Sequence, residues 1–268
     1  MVKTVFLGAG QMAEALIKGL VEAKLYLPAE ILASDISETR LNSLTAKYGI
    51  KTTNSNTQAV QEGEVVIFAV KPQQLKAVVK EVGGQIKQEQ TVVSIAAGVP
   101  LAKIKPFIKQ AKGLVRVMPN TPALVGAGMT ALAFEPQIDA ATREKVKAIF
   151  AAVGEVTEVN EELLDVVTAV SGSGPAYYCL FCLTLAEAGI KAGLAPETAF
   201  KLSRQTFYGT SLLLKEGLSE AELIKKVASP GGTTEAALAK FKELGLEKLV
   251  TAAVQAAIKR GQELAEQI

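Results

Sequence analysis

The chain contains no histidine and two cysteines, and that inventory decides which chemistries are open to it. Ser-His-Asp and Cys-His relays are excluded, because both need an imidazole to take the nucleophile's proton. Cys179 and Cys182 have the C-x-x-C spacing of a redox pair or of half a metal site. Without histidine or a further cysteine, the usual four nitrogen and sulfur ligands of zinc cannot be assembled, so no metal site is expected. Both cysteines lie among Tyr177, Tyr178, Leu180, Phe181 and Leu183. They are expected to be small apolar residues on one face of a buried helix. Acid–base work is left to Lys, Tyr, Asp, Glu, a hydroxyl, water or the substrate itself.

Two glycine-rich segments offer anion-binding chemistry instead. Gly8-Ala9-Gly10-Gln11-Met12-Ala13 follows an apolar strand pattern and leads into a helical stretch, Glu14–Ala23. A G-x-G-x-x-G/A run is weak alone, but between a strand and a helix it signals a dinucleotide site. Gly8 would allow the tight turn and Gly10 close approach to a pyrophosphate seated on the helix's first amides. Ala13 would let helix and strand pack closely. The second segment, Ser229-Pro230-Gly231-Gly232-Thr233-Thr234, joins two helical patterns. Its glycines, hydroxyls and helix-start amides form a nest suited to the carboxylate of a small substrate. A plain helix–helix turn capped by Thr233 is the alternative. A third turn, Ser171-Gly172-Ser173-Gly174-Pro175, could serve a site or simply close helix contact.

The elements that must position these segments divide into two halves. Strand patterns occupy Thr4–Leu7, Ile31–Ser34, Val65–Val70, Thr91–Ala96 and Leu114–Val117, with weaker ones at Met129–Phe134 and Glu155–Val159. Helical patterns lie between them, for example Pro72–Val82 and Leu101–Gln110. The alternation implies an α/β fold with βαβ units and a mostly parallel sheet. Ligands in such sheets bind at the carboxyl ends of the strands. Ala69-Val70-Lys71-Pro72, Ala96-Ala97-Gly98 and the loop Met118–Pro122, which contains Asn120, are therefore candidates for the cofactor wall. From Glu161 onward only helices are expected: Glu161–Val170, Pro175–Ala192, Pro196–Lys215, Ser219–Val227, Thr234–Leu244 and Leu246–Gln267. Ser219 and Glu222 have capping-box spacing. The expected domains are residues 1–160 and 161–268, joined near Val159–Glu162.

Charge and hydropathy narrow the partners. The net charge is +2, with no basic run, so nucleic acid is not expected. Residues 166–186 carry no charge, about the length of a membrane span. The glycine–proline turn inside them reads better as the junction of two buried helices, so no membrane partner is expected. No secretory signal pattern is present, and a cytoplasmic location is expected. The apolar helical half is expected to bury surface by oligomerising. At the end of the second strand the cofactor signals conflict. Asp35 suits the bare ribose hydroxyl of NAD, whereas Ser34, Asn56 and Arg40 could receive the extra phosphate of NADP.

The glycine loop, Ala69–Pro72, Val93–Gly98, Met118–Pro122, Val170–Tyr177 and Ser229–Thr234 occur in the order found in pyrroline-5-carboxylate reductases, and the chain resembles that family along nearly its whole length. The resemblance implies a Rossmann-type N-terminal domain, an all-helical dimerisation domain that interlocks with a second copy, and further assembly into a ring of dimers. It implies NADPH, with NADH possible, held by Gly8, Gly10, Gln11, Met12, Ser34, Asn56, Ala69, Val70, Lys71, Pro72 and Ala97. It implies a small-molecule imine whose carboxylate rests on Ser229, Gly231, Gly232 and Thr233. Thr234 would hydrogen-bond the ring nitrogen, and Glu161 would lie near the substrate. One stretch departs from the family: Leu223-Ile224-Lys225-Lys226 stands where a Leu-Lys/Arg-Asp sequence is usual. The alternatives are a two-domain reductase of β-hydroxyacids using a lysine such as Lys191 or Lys201, and a nucleotide sensor without turnover.

Overall fold

A computed structural model describes residues 1–266; Gln267, the expected end of the last helix, and Ile268 lie outside the described residues. Eight strands form one sheet: β1 (Thr4–Leu7), β2 (Ile31–Ser34), β3 (Lys51–Thr53), β4 (Val65–Phe68), β5 (Thr91–Ser94), β6 (Gly113–Met118), β7 (Gly128–Phe134) and β8 (Gly154–Glu158). Their order is β3-β2-β1-β4-β5-β6-β7-β8. Every neighbour pair is parallel except β6 with β7. The helices are α1 (Gln11–Glu22), α2 (Glu38–Tyr48), α3 (Asn56–Val60), α4 (Pro72–Val82), α5 (Leu101–Ile104), α6 (Ala140–Ala151), α7 (Leu164–Val167), α8 (Gly174–Lys191), α9 (Pro196–Lys215), α10 (Glu220–Val227), α11 (Thr233–Glu243) and α12 (Leu246–Glu266).

The central strands are buried along their whole length, as expected for a parallel sheet covered on both faces. Side chains alternate between two cores. Phe6, Ile67, Val93 and Val115 pack with Leu16, Ile17 and Leu20 of α1. Val5, Leu7, Val66 and Phe68 pack with Leu75 and Val79 of α4. Burying each such side chain is worth about 1.5–3 kcal/mol. The pairing aligns Leu7 with both Ser34 and Phe68, and Phe68 with Ser94. The carboxyl ends of these four strands therefore share one edge of the sheet.

Three expectations need correction. β3 was not foreseen, because it is a three-residue edge strand of polar residues, Lys51-Thr52-Thr53. The expected helix Leu101–Gln110 stops at Ile104 and continues as a 3-10 turn, Lys105–Phe107. Pro106 cannot donate an amide to an α-helix and its ring crowds the preceding turn. The two buried helices expected at 166–186 are one continuous helical run, in which a π-turn, Thr168–Gly172, links α7 to α8. Ser173 donates its amide to the Thr168 carbonyl (2.8 Å).

The chain divides into two compact units, one of residues 1–173 with 257–266 and one of Gly174–Ala256. In the second unit, α8 and α9 pack together. The rings of Tyr178 and Phe207 lie 5.6 Å apart, and Ser203 Oγ donates to the Cys182 carbonyl (2.8 Å). Few residues of this unit are buried: Gly174, Ala186, Ala199 and Ser203. Tyr178, Leu180, Phe181, Leu183, Phe207 and Leu212 are exposed in the single chain. Cys179 is exposed and Cys182 half-buried, both free thiols, so the expected burial of this helix is not supplied by the chain itself. Among the described residues, Glu161–Lys191 is the one helical run long and apolar enough to cross a membrane.

Candidate active site

The glycine loop is built as its spacing predicts. Gly8 has φ +98°, and a Cβ there would stand 2.9 Å from the carbonyl carbon and oxygen of Ala69. Glycine is therefore required for both its conformation and its contact. Gly10 is the N-cap of α1 and supplies no side-chain hydrogen bond. The helix begins at Gln11, three residues earlier than its apolar pattern suggests, which leaves its first amides without a side-chain cap. These amides fit the pyrophosphate of a dinucleotide.

The loop is braced from α2 and from its own helix. Arg40 Nε donates to the Ala9 carbonyl (2.5 Å) and Nη2 to the Gly10 carbonyl (3.3 Å). Arg40 Nη2 also lies 2.6 Å from Glu14 Oε2. Burial pushes the Glu14 carboxyl up, but hydrogen bonds from Lys47, Arg40 and Tyr48 outweigh it and hold the group below the usual range. The guanidinium proposed to meet a phosphate is thus already engaged. This bracing role was not read from the sequence, because Glu14 and Arg40 are 26 positions apart and meet only through the sheet.

The other sequence-derived cofactor residues gather on the same sheet edge. Ser34 ends β2 fully buried, and its hydroxyl donates to Asn56 Oδ1 (2.7 Å). Asn56 Nδ2 donates to Glu81 Oε2 (3.0 Å). Asp35 turns toward the glycine loop, where Oδ2 accepts the Ala9 amide (2.8 Å) and Oδ1 the Ser37 amide (3.0 Å). Ala69, Val70, Lys71 and Pro72 connect β4 to α4, with Lys71 as N-cap and Pro72 opening the helix. Ala97 and Gly98 follow β5. Asn120 follows β6, and its side chain braces the protein: Oδ1 accepts the Met129 amide (2.8 Å) and Nδ2 donates to Ser171 Oγ (3.2 Å).

Glu161 meets the start of α5 and the arginine of β6. Its Oε1 accepts the Leu101 amide at the start of α5 (2.6 Å) and lies 3.7 Å from Arg116 Nη1. Arg116, nearly buried on β6, donates through Nη2 to Asp165 Oδ1 (2.8 Å). The lone arginine in the apolar run of β6 was the available sign of this buried ion group, and the sequence reading passed over it.

In the second unit, Ser229–Thr234 turns from α10 into α11. Gly231 has φ +68°. A Cβ on Gly232 would come within 2.6 Å of Ser229 Oγ. Gly232 is the N-cap of α11, Thr233 and Thr234 are its first residues, and no side chain caps it. The Gly231 amide donates to the Glu235 carboxylate (2.8 Å). The carboxylate at the turn is thus one from the helix's own first turn. Lys191 and Lys201 are both exposed.

Residues 161–264 match the family model described as pyrroline-5-carboxylate reductase dimerisation. Residues 3–98 match the one described as NADP oxidoreductase, coenzyme F420-dependent. The chain is 43% identical to the pyrroline-5-carboxylate reductase of Pseudomonas aeruginosa, over 98% of this chain and 97% of that one. It is 44% identical to the one from Synechocystis, over 96% of each. A solved pyrroline-5-carboxylate reductase from Coxiella burnetii superposes with a TM-score of 0.92 at 36% identity, covering 98% of both chains. One from Plasmodium falciparum, solved with NADP bound, gives 0.85 at 28% identity, again covering 98% of both. The chain belongs to the pyrroline-5-carboxylate reductase family.

Proposed function

We propose that this protein reduces 1-pyrroline-5-carboxylate to L-proline with hydride from NADPH or NADH, the last step of proline biosynthesis. The observation that carries this reading is the turn at Ser229–Thr234, whose Gly231 amide already holds a carboxylate, that of Glu235. A substrate carboxylate would use the same group, supported by Ser229, Gly232 and Thr233. The glycine loop with Gly8, Gly10, Gln11 and Met12 would hold the dinucleotide. Ser34, Asn56, Ala69–Pro72, Ala97 and Asn120 would wall it.

The chemistry suits a chain without histidine. A protonated cyclic imine is already electrophilic. The reduced nicotinamide supplies the hydride, which adds to the imine carbon, and the nitrogen keeps its proton in the product amine. The protein's part is to orient the imine and exclude water. Thr234 would orient the ring nitrogen, and Glu161 would lie near the substrate.

We read residues 1–160 as the dinucleotide domain and 161–268 as the dimerisation and substrate domain. The exposed apolar side chains of α8 and α9 would be covered by a second copy of the chain, not by a bilayer, and the dimers would assemble into a ring. The enzyme would act in the cytoplasm. The reading is tested by mixing protein, pyrroline-5-carboxylate and NADPH or NADH, and following absorbance of the reduced nicotinamide. Substrate-dependent loss is expected. Cofactor binding without turnover would favour the sensor alternative.

A further inference from the structure

We infer that the adenosine end of the cofactor site is built for a bare ribose, so that Asp35 makes this reductase prefer NADH to NADPH. The inference rests on the cofactor reading given above. The two reduced cofactors differ at one place, the 2′-oxygen of the adenosine ribose, which carries a phosphate in NADPH. The acidic residue that ends the second strand of such folds accepts from the 2′-hydroxyl, whereas a nearby arginine receives a 2′-phosphate.

Five observations at that position agree. The Asp35 carboxylate is pinned toward the glycine loop by the amides of Ala9 (2.8 Å) and Ser37 (3.0 Å). Each oxygen keeps a lone pair for a ribose hydroxyl, but the fixed negative charge would repel a phosphate. The hydroxyl of Ser34 is fully buried and its hydrogen bond is given to Asn56. The Asn56 amide is turned to a second carboxylate, Glu81 (3.0 Å). Arg40, the cation on the adjoining helix, is committed to two loop carbonyls and to Glu14. Ile36, directly after Asp35, is 88% exposed, so the residue that follows the carboxylate brings no cation to it.

The test is calorimetric binding of ADP-ribose and of 2′-phospho-ADP-ribose, which isolates the adenosine end from turnover. The native protein is expected to bind ADP-ribose about tenfold or more tightly than its phosphorylated form, the scale of one lost or repulsive polar contact. Asp35→Ser is expected to narrow that ratio by about tenfold. Ile36→Arg, an exposed change that leaves the bonds of Asp35 intact, is expected to move it the same way. Equal or tighter binding of the phosphorylated ligand by the native protein would overturn the inference, as would an unchanged ratio in both variants. Failure to bind either ligand would strike the cofactor reading itself, whereas binding of both in the reverse order overturns only the preference.

Discussion

At the residue scale, function rests on a few side chains and on Gly8, which no residue with a side chain can replace without moving the Ala69 backbone. Thr234 is the second residue of a helix that no side chain caps, so its hydroxyl has no capping duty. Thr234→Ala is expected to lower kcat/KM by about tenfold to a hundredfold, the scale of one hydrogen bond of about 1.4–3 kcal/mol. Steady-state kinetics with pyrroline-5-carboxylate would check it, and an unchanged value would remove Thr234 from the mechanism. Gly8→Ala would set a Cβ 2.9 Å from the Ala69 carbonyl at a φ of +98°. Its dinucleotide affinity is expected to fall at least about tenfold by calorimetry, since the loop must shift to relieve the clash. Both glycine segments were legible in the sequence, because each carries a glycine at a left-handed turn, Gly8 and Gly231, just before a helix. The reach of Glu235 back to Gly231 was not, since a carboxylate in the first turn of a helix can equally face water.

At the scale of elements, the sheet was legible wherever burial on both faces demands an unbroken apolar run. β1 and β2 have the bounds their patterns predict. β3 was hidden because an exposed edge strand needs no such pattern. α5 was cut short by one proline whose effect the helical periodicity conceals. The element that ties β6 to the start of the helical half is the ion group Arg116–Asp165–Glu161. Asp165→Ala would leave the nearly buried guanidinium with the more distant Glu161, 3.7 Å away, as its carboxylate partner among the described residues. Breaking such a pair is expected to cost about 3–5 kcal/mol, read by urea unfolding. The N-cap of α6 gives a pH signature. Hydrogen bonds from Lys112 and Thr142 hold the Asp139 carboxyl well below the usual range. A depressed carboxylate stabilises the fold above its unfolded pKa, about 3.9. That contribution is lost as pH falls through the folded value. Asp139→Asn is therefore expected to lower the melting temperature at pH 7 and to converge with the native protein in strong acid.

At the scale of the whole molecule, the helical unit exposes apolar side chains that a soluble monomer would not leave in water. The low burial of α8 in the single chain, set against a sequence that reads as a buried helix, fits the proposal that a second copy would supply the covering surface. Light scattering is expected to give at least twice the mass of one chain. Phe181→Glu, on the exposed face of α8, is expected to shift the population toward monomer and to reduce activity with it. A native monomer would contradict the dimeric account.

The most direct test of the central claim follows the hydride itself. NADH carrying deuterium at the transferable position of the nicotinamide would be incubated with the protein and pyrroline-5-carboxylate, and the product analysed by mass spectrometry and NMR. The account predicts proline with one deuterium at Cδ, the former imine carbon, in amounts matching the cofactor oxidised. Cofactor oxidation without labelled proline, or no oxidation by protein that binds both cofactor and substrate, would contradict it.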